Sequence, residues 1–236
     1  IGCIYANYSD PPAPGTELGE NVVLRFCPPV MYPWTKEKVK YFKDTWSGWA
    51  ATGARLMMRP NFTLDGHSFP LAYYRHYAEC YDFIRANGLV AVDMDSLNGV
   101  YGANGLTMFV IASKNSSPDR ALKDLENDYF SAFGSAAGAM RECSEDFVRA
   151  SNAGFMLEGK DDTIEGGRYT EFMLSAYRVF PPELIEKAIA RLEAAKSAAR
   201  DETVVRRLEF VLAGLVEARL MLKAQRGFAK YQRTGD

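Results

Sequence analysis

Histidine and cysteine are scarce in this chain of 236 residues, which has two histidines and four cysteines. The cysteines, Cys3, Cys27, Cys80 and Cys143, are scattered, with no C-x-x-C pair and no Cys/His cluster. That pattern argues against a zinc site or a thioredoxin-type motif, and the thiols read as free and buried. Only Cys3 and Cys27 could face each other on neighbouring strands. Positive charge is not in excess either: 28 Lys and Arg stand against 30 Asp and Glu, for a formal charge of −2. No electrostatic case for nucleic acid follows. Long apolar runs are missing too. The most apolar stretch, Leu208 to Leu222, is interrupted by Glu209, Glu217 and Arg219, so no membrane span is expected. There is no G-x-S-x-G or Ser/His/Asp arrangement. Gly99, Gly102 and Gly105 do not follow a dinucleotide fingerprint or a P-loop, and no cofactor or metal is expected. Ile1 opens the chain without a methionine or a charged leader, so further residues are expected upstream and the cellular location is left open.

What is present is an ordinary globular composition, 47% hydrophobic and 25% charged, with 13% aromatic residues that crowd the first half. Sugar-binding clefts are one place such rings go. Two regimes meet near Gly105. Before it, strands are expected at Gly2 to Tyr8, Asn21 to Cys27, Ala54 to Met58 and Leu89 to Met94, with helices at Thr35 to Ala51 and Pro70 to Ala86. The fourth strand is apolar until Asp93, as for a parallel strand covered on both faces. After Gly105 every periodic segment is helical: Leu106 to Ser113, Pro118 to Phe133, Ser135 to Ser151, Gly167 to Phe180, Pro182 to Arg200 and Glu202 to Gln232. The last two should pair as a hairpin around Asp201, burying Ile185, Ala188 and Leu192 against Leu208, Leu212 and Leu215. The expected fold class is α/β: about four parallel strands, the C-terminal half of a (β/α)8 TIM-type barrel, followed by an α-helical subdomain. The partial barrel spans residues 1–104 and the helical region 105–236, whose first helices could complete the barrel.

In parallel β/α architectures chemistry sits at the carboxyl ends of the strands. Those ends carry Asn7, Tyr32, Trp34, Arg59, Asn61, Asp65, His67, Asp93, Asp95 and Asn98, with Tyr5 at the same mouth. The collection suits a sugar, with rings to stack on it and amides and carboxylates for its hydroxyls; a solvated loop rim is the alternative. Asp93 and Asp95 are two apart on a strand and so share a face. Such a pair raises one pKa for acid/base work, but it could equally be a weak cation site or a solvated strand end. Arg59 could hold a carboxylate, such as that of a uronic acid, or pair with a neighbouring Asp. His67 could contact substrate, act as a base, or be a surface residue. His76, among Tyr73, Tyr74, Tyr77 and Tyr81, reads as packing of its own helix.

The order of features resembles a known family. Ile4-Tyr5-Ala6-Asn7-Tyr8 precedes Pro11-Pro12, then Asn21 to Pro28, a Trp-bearing helix, and Asn87-Gly88 before a strand. Ser117-Pro118-Asp119, Asp128-Tyr129-Phe130 and Phe133-Gly134-Ser135-Ala136-Ala137 follow. Together these resemble the later part of the barrel in a bacterial glycoside-hydrolase-like family, domain of unknown function 4838, over about Ile1 to Val148. Arg206 to Phe210 and Gly214 to Arg219 are similar to the helical region that often follows. The resemblance implies a carbohydrate ligand, hydrolysis of a glycosidic bond by two carboxylates, and a secreted or periplasmic location. It also implies that the first half of the barrel is contributed from outside these residues, by an N-terminal half-barrel or by a second chain. Two positions depart from the family. Met57-Met58-Arg59-Pro60 replaces a Trp-Asp-Tyr-like strand end, and a gapless match puts Met94 where members carry Glu. Asp93 or Asp95 would then supply the acid; the other reading is a carbohydrate-binding or scaffolding protein that lost the catalytic carboxylates.

Overall fold

A computed structural model describes residues 1–5, 8–27, 34–60, 68–94, 100–153 and 176–235. Asn7, Tyr32, Asn61, Asp65, His67, Asp95 and Asn98 lie outside the described residues, as does most of the helix expected at Gly167 to Phe180, of which 176–179 is helical. Four short strands, β1 (Gly2–Ile4), β2 (Val23–Phe26), β3 (Arg55–Met58) and β4 (Leu89–Val92), form one parallel sheet in the order β1-β2-β3-β4. Helix α1 (Lys36–Ala50) links β2 to β3 and α2 (Tyr74–Ala86) links β3 to β4. The expected α/β parallel arrangement is therefore present, with shorter strands. Gly53 and Gly88 end the two helices at φ of 81° and 86°, a region that costs glycine nothing.

Register explains which face is covered. Ile4, Phe26 and Met58 stand in one row, and Leu24 and Leu56 share their side. Phe26 meets Phe42 and Trp46 of α1 at ring-centroid distances of 5.7 and 5.6 Å, and Ile4, Phe26, Leu56 and Met58 are all buried. The other row, Cys3, Arg25, Met57 and Ala91, holds no fully buried residue. The expectation that the fourth strand is covered on both faces is thus corrected. Leu89 and Val92 are half-buried, Val90 is 45% exposed and Ala91 is exposed. The reason is positional: among the described residues β4 is an edge strand, and a bulge opposite Leu56 and Met57 leaves Val90 without a register partner.

The second half is helical: α3 (Tyr101–Ser116), α4 (Leu122–Ser131), α5 (Ala137–Ala153), α6 (Pro182–Ala198) and α7 (Glu202–Thr234). The change of regime expected at Gly105 falls inside α3, beside a kink at Asn104 (φ −112°, ψ 15°). Two starts move from their expected places. Helix α2 begins at Tyr74 rather than Pro70, since the Ala72 N–H is taken by Ser151 Oγ of α5 at 3.1 Å. Helix α3 begins five residues early, at Tyr101 rather than Leu106, because its poorly helical glycines serve packing. A Cβ on Gly102 would lie 2.4 Å from the Phe210 carbonyl oxygen and 3.1 Å from Gly214 Cα of α7, so the two backbones cross in direct contact. Helices α6 and α7 form the expected hairpin, with Ile185, Ala188, Leu192, Leu208, Leu212, Leu215 and Leu222 all buried. One hydrophobic cluster runs from Ile4 to Leu222. All four cysteines are free, Cys3 exposed and the others buried. No helix among the described residues is long and apolar enough to cross a membrane.

Leu212→Ala should cost roughly 2–5 kcal/mol in denaturant unfolding and exposed Glu217→Ala almost nothing. Gly102→Ala should cost about 1–3 kcal/mol, because the obstructing atoms are backbone. Gly227→Ala, where an added Cβ meets nothing within 4 Å, should instead stabilise by up to about 1 kcal/mol; a Gly102→Ala chain that melts at or above the wild-type temperature would refute this assignment of the crossing.

Candidate functional site: a guanidinium-carboxylate cluster at the sheet end

Backbone pairing continues one residue past each strand. The amides of Cys27, Arg59 and Asp93 donate to the carbonyls of Ile4, Phe26 and Met58 at 2.8, 2.7 and 2.8 Å. This extension fixes the carboxyl end of the sheet and, by strand alternation, turns Arg25, Arg59 and Asp93 to the side away from Phe26. There a single oxygen, Asp93 Oδ2, accepts from Arg59 Nη1 at 2.9 Å and pairs with Arg25 Nη1 at 3.1 Å. The three side chains are about one-third exposed. Among the described residues the cluster sets two guanidiniums against one carboxylate. The Arg25 Nε is buried without a hydrogen-bond partner among the described residues.

This geometry changes the sequence assignments. Asp93 was expected to share a face with Asp95, which lies outside the described residues; Asp93 itself is held between two cations. Of the two readings of Arg59, the structure has pairing with a neighbouring Asp. Tyr5 is 45% exposed just past β1. Trp34 requires the largest correction. It was expected at the mouth as a stacking surface, yet it is 2% exposed, with Tyr73 and His76 against it at ring-centroid distances of 5.8 and 4.7 Å. The cause is local: Thr35 caps α1, its Oγ1 accepting from the Lys38 N–H, and the residue just before that cap is drawn into the layer between α1 and α2. Arg25 was missed by sequence reasoning. Its signal was there, since in Val23-Leu24-Arg25-Phe26 burial of Leu24 and Phe26 puts Arg25 on the same side as Asp93.

His76 packs as expected for a helix-core residue. Burial holds its imidazole below the ordinary histidine range, with Glu79 opposing. Trp34 and His76 also line a groove of about 840 Å³ between α1 and α2, where Lys43 pairs with Glu79 at 2.5 Å and Lys40 with Asp44. Among the described residues no group of three or more His, Cys, Asp or Glu side chains is arranged to hold a metal ion. The chain matches no family model, no curated protein and no solved structure.

A depressed folded-state pKa means that the unfolded chain binds more protons, so stability rises with pH across the window. The stability linked to His76 should therefore be present above about pH 6.5 and be lost as pH falls below it. Unfolding titrations at pH 5.5 and 7 should show a loss in the wild type that His76→Gln flattens. Trp34→Ala should destabilise by about 3–5 kcal/mol as a core truncation.

Proposed function

We propose that this chain is the carbohydrate-recognising part of a glycosidase-like β/α protein, and that its sheet end binds a sugar bearing a carboxylate. The observation that carries the reading is the Arg25-Asp93-Arg59 cluster at the carboxyl end of a parallel sheet. In this role Asp93 orients two guanidiniums, the group suited to charge-assisted hydrogen bonds with a uronate or with sugar hydroxyls. One Asp93 oxygen is engaged by both guanidiniums, so the carboxylate serves to hold them in place, which favours recognition over acid/base work by Asp93. Hydrolysis of a glycosidic bond, the second reading, then rests on Asp95 together with a carboxylate from outside these residues.

The finer fold assignment belongs to the same proposal. Consecutive parallel strands with helices on one face and, among the described residues, none on the other suit the C-terminal half of a TIM-type barrel. Strands β1 and β4 are both edges among the described residues. Unpaired edges are a pairing liability, so a second half-barrel, from upstream in the polypeptide or from another chain, completes the sheet.

Calorimetric titration with galacturonate and glucuronate oligomers and their neutral counterparts tests the reading. The acidic sugars should bind more tightly, with affinity falling as salt rises, and Arg59→Ala should weaken them by about tenfold or more. Equal affinity for neutral sugars, or an unaffected Arg59→Ala, would remove the cluster from the binding site. Turnover lost in Asp95→Asn but kept in Asp93→Asn would favour the hydrolytic reading.

A further inference from the structure

Helix α7 changes character along its length. As far as Glu217 it carries charges of both signs: Glu202, Arg206, Arg207, Glu209 and Glu217. From Ala218 to Gly235 there is no carboxylate, and the charged residues are Arg219, Lys223, Arg226, Lys230 and Arg233. Their spacing of four, three, four and three keeps them on one stripe. Roughly 150° round the helix, at 3.6 residues per turn, lies a second stripe of Leu220, Met221, Ala224, Phe228 and Tyr231. Leu220, Phe228 and Tyr231 are 58%, 49% and 59% exposed, so this apolar face is not part of the core.

The basic stripe has a partner over part of its length. Glu186 and Glu183, on consecutive turns of α6, pair with Lys223 at 2.6 Å and Arg226 at 2.5 Å. Helix α6 begins at Pro182, and α7 runs on beyond Arg226 to Thr234. Lys230 and Arg233 continue the stripe there, and neither meets a carboxylate among the described residues. From Arg226 to Gly235 every residue but the half-buried Ala229 is exposed, so this end stands clear on both its basic and its apolar sides. Its length, for the eight residues after Arg226, is about 12 Å.

We propose that the end of α7 is a docking helix for a protein partner with an apolar groove and a carboxylate-bearing rim. The chemistry of that rim is already present in the fold, where two glutamates on one helix face read the first part of the stripe. A groove that encloses the helix satisfies both faces at once, with Phe228 and Tyr231 on its floor and Lys230 and Arg233 at its rim. A flat anionic bilayer takes up the apolar face while the opposed cations point away from it. A second copy docked through the same apolar face likewise leaves the cations of both helices pointing outward and unmatched.

The probe is a synthetic helical hairpin with leucines on the facing sides of its two helices and glutamates along their rims. The control hairpin has lysine in place of glutamate. The full chain should bind the acidic hairpin and not the control. Lys230→Glu with Arg233→Glu, and separately Phe228→Ala, should each weaken binding by about tenfold or more at an unchanged melting temperature. Any of these results overturns the proposal: no binding, equal binding to both hairpins, insensitivity to the substitutions, or stronger binding to vesicles of 30% phosphatidylserine in phosphatidylcholine. Self-association that depends on Phe228 overturns it in favour of a homodimer.

Discussion

Helix α2 has to be buried on more than one side, and the rest of the molecule is arranged around that constraint. Tyr74, Tyr77, Ala78, Cys80, Tyr81 and Ile84 are all inside, so the helix serves both the layer beneath the sheet and the helices that follow. Burying tyrosines in this number brings polar atoms into the core, where each hydroxyl needs a partner. Tyr74 donates to Glu126 of α4 at 3.0 Å, and Tyr77 accepts from Asn115 of α3 at 2.8 Å. Arg75 joins Glu126 and Glu145, tying α2 to α4 and α5. Burial pushes the phenol of Tyr129 up to about 12 and the thiol of Cys80 likewise up to about 12, so both stay protonated at neutral pH.

The same constraint decides where the sheet is open. With α1 and α2 both committed to the Phe26 side, the Cys3-Arg25-Met57-Ala91 row has no helix of its own among the described residues. Arginine and aspartate can stand at that face because it keeps contact with water and because each charge finds an opposite one. The candidate site thus follows from an asymmetry of packing, since a sheet covered on both faces would not hold Arg25 mid-strand.

Polarity and helix contacts divide the second half in a similar way. Lys114 is 2% exposed, and it is accommodated there by Asp82 at 2.7 Å and the Arg120 carbonyl at 2.9 Å. At the crossing of α3 and α7, glycines at 102 and 214 replace side chains with backbone contact. Past Arg226 α7 runs beyond the start of α6, and exposed aromatic and cationic residues take over from buried leucines. Its two halves are one helix by backbone hydrogen bonding but meet different surroundings.

Local periodicity and capping were legible from the residues alone. The strand within Asn21 to Cys27, the helix opening at Thr35 and the Leu208-Leu212-Leu215 stripe depend on neighbours within a few positions, and each appears where it was expected. Non-local choices were not legible. Trp34 became core instead of cleft because α2 supplies Tyr73 and His76 against it, from some forty residues away. The glycines of α3 read as a break because their partner backbone belongs to α7, more than a hundred residues on. Asp93 was visible as a strand-end carboxylate, but its binding to Arg25 and Arg59 depends on which strands become neighbours. By itself the sequence determined the elements, their α/β order and the buried stripes, all products of short-range sterics and hydrophobic period. Only the tertiary structure decided which face of the sheet stays open and which charges meet there, because those outcomes depend on the relative placement of segments far apart in the chain.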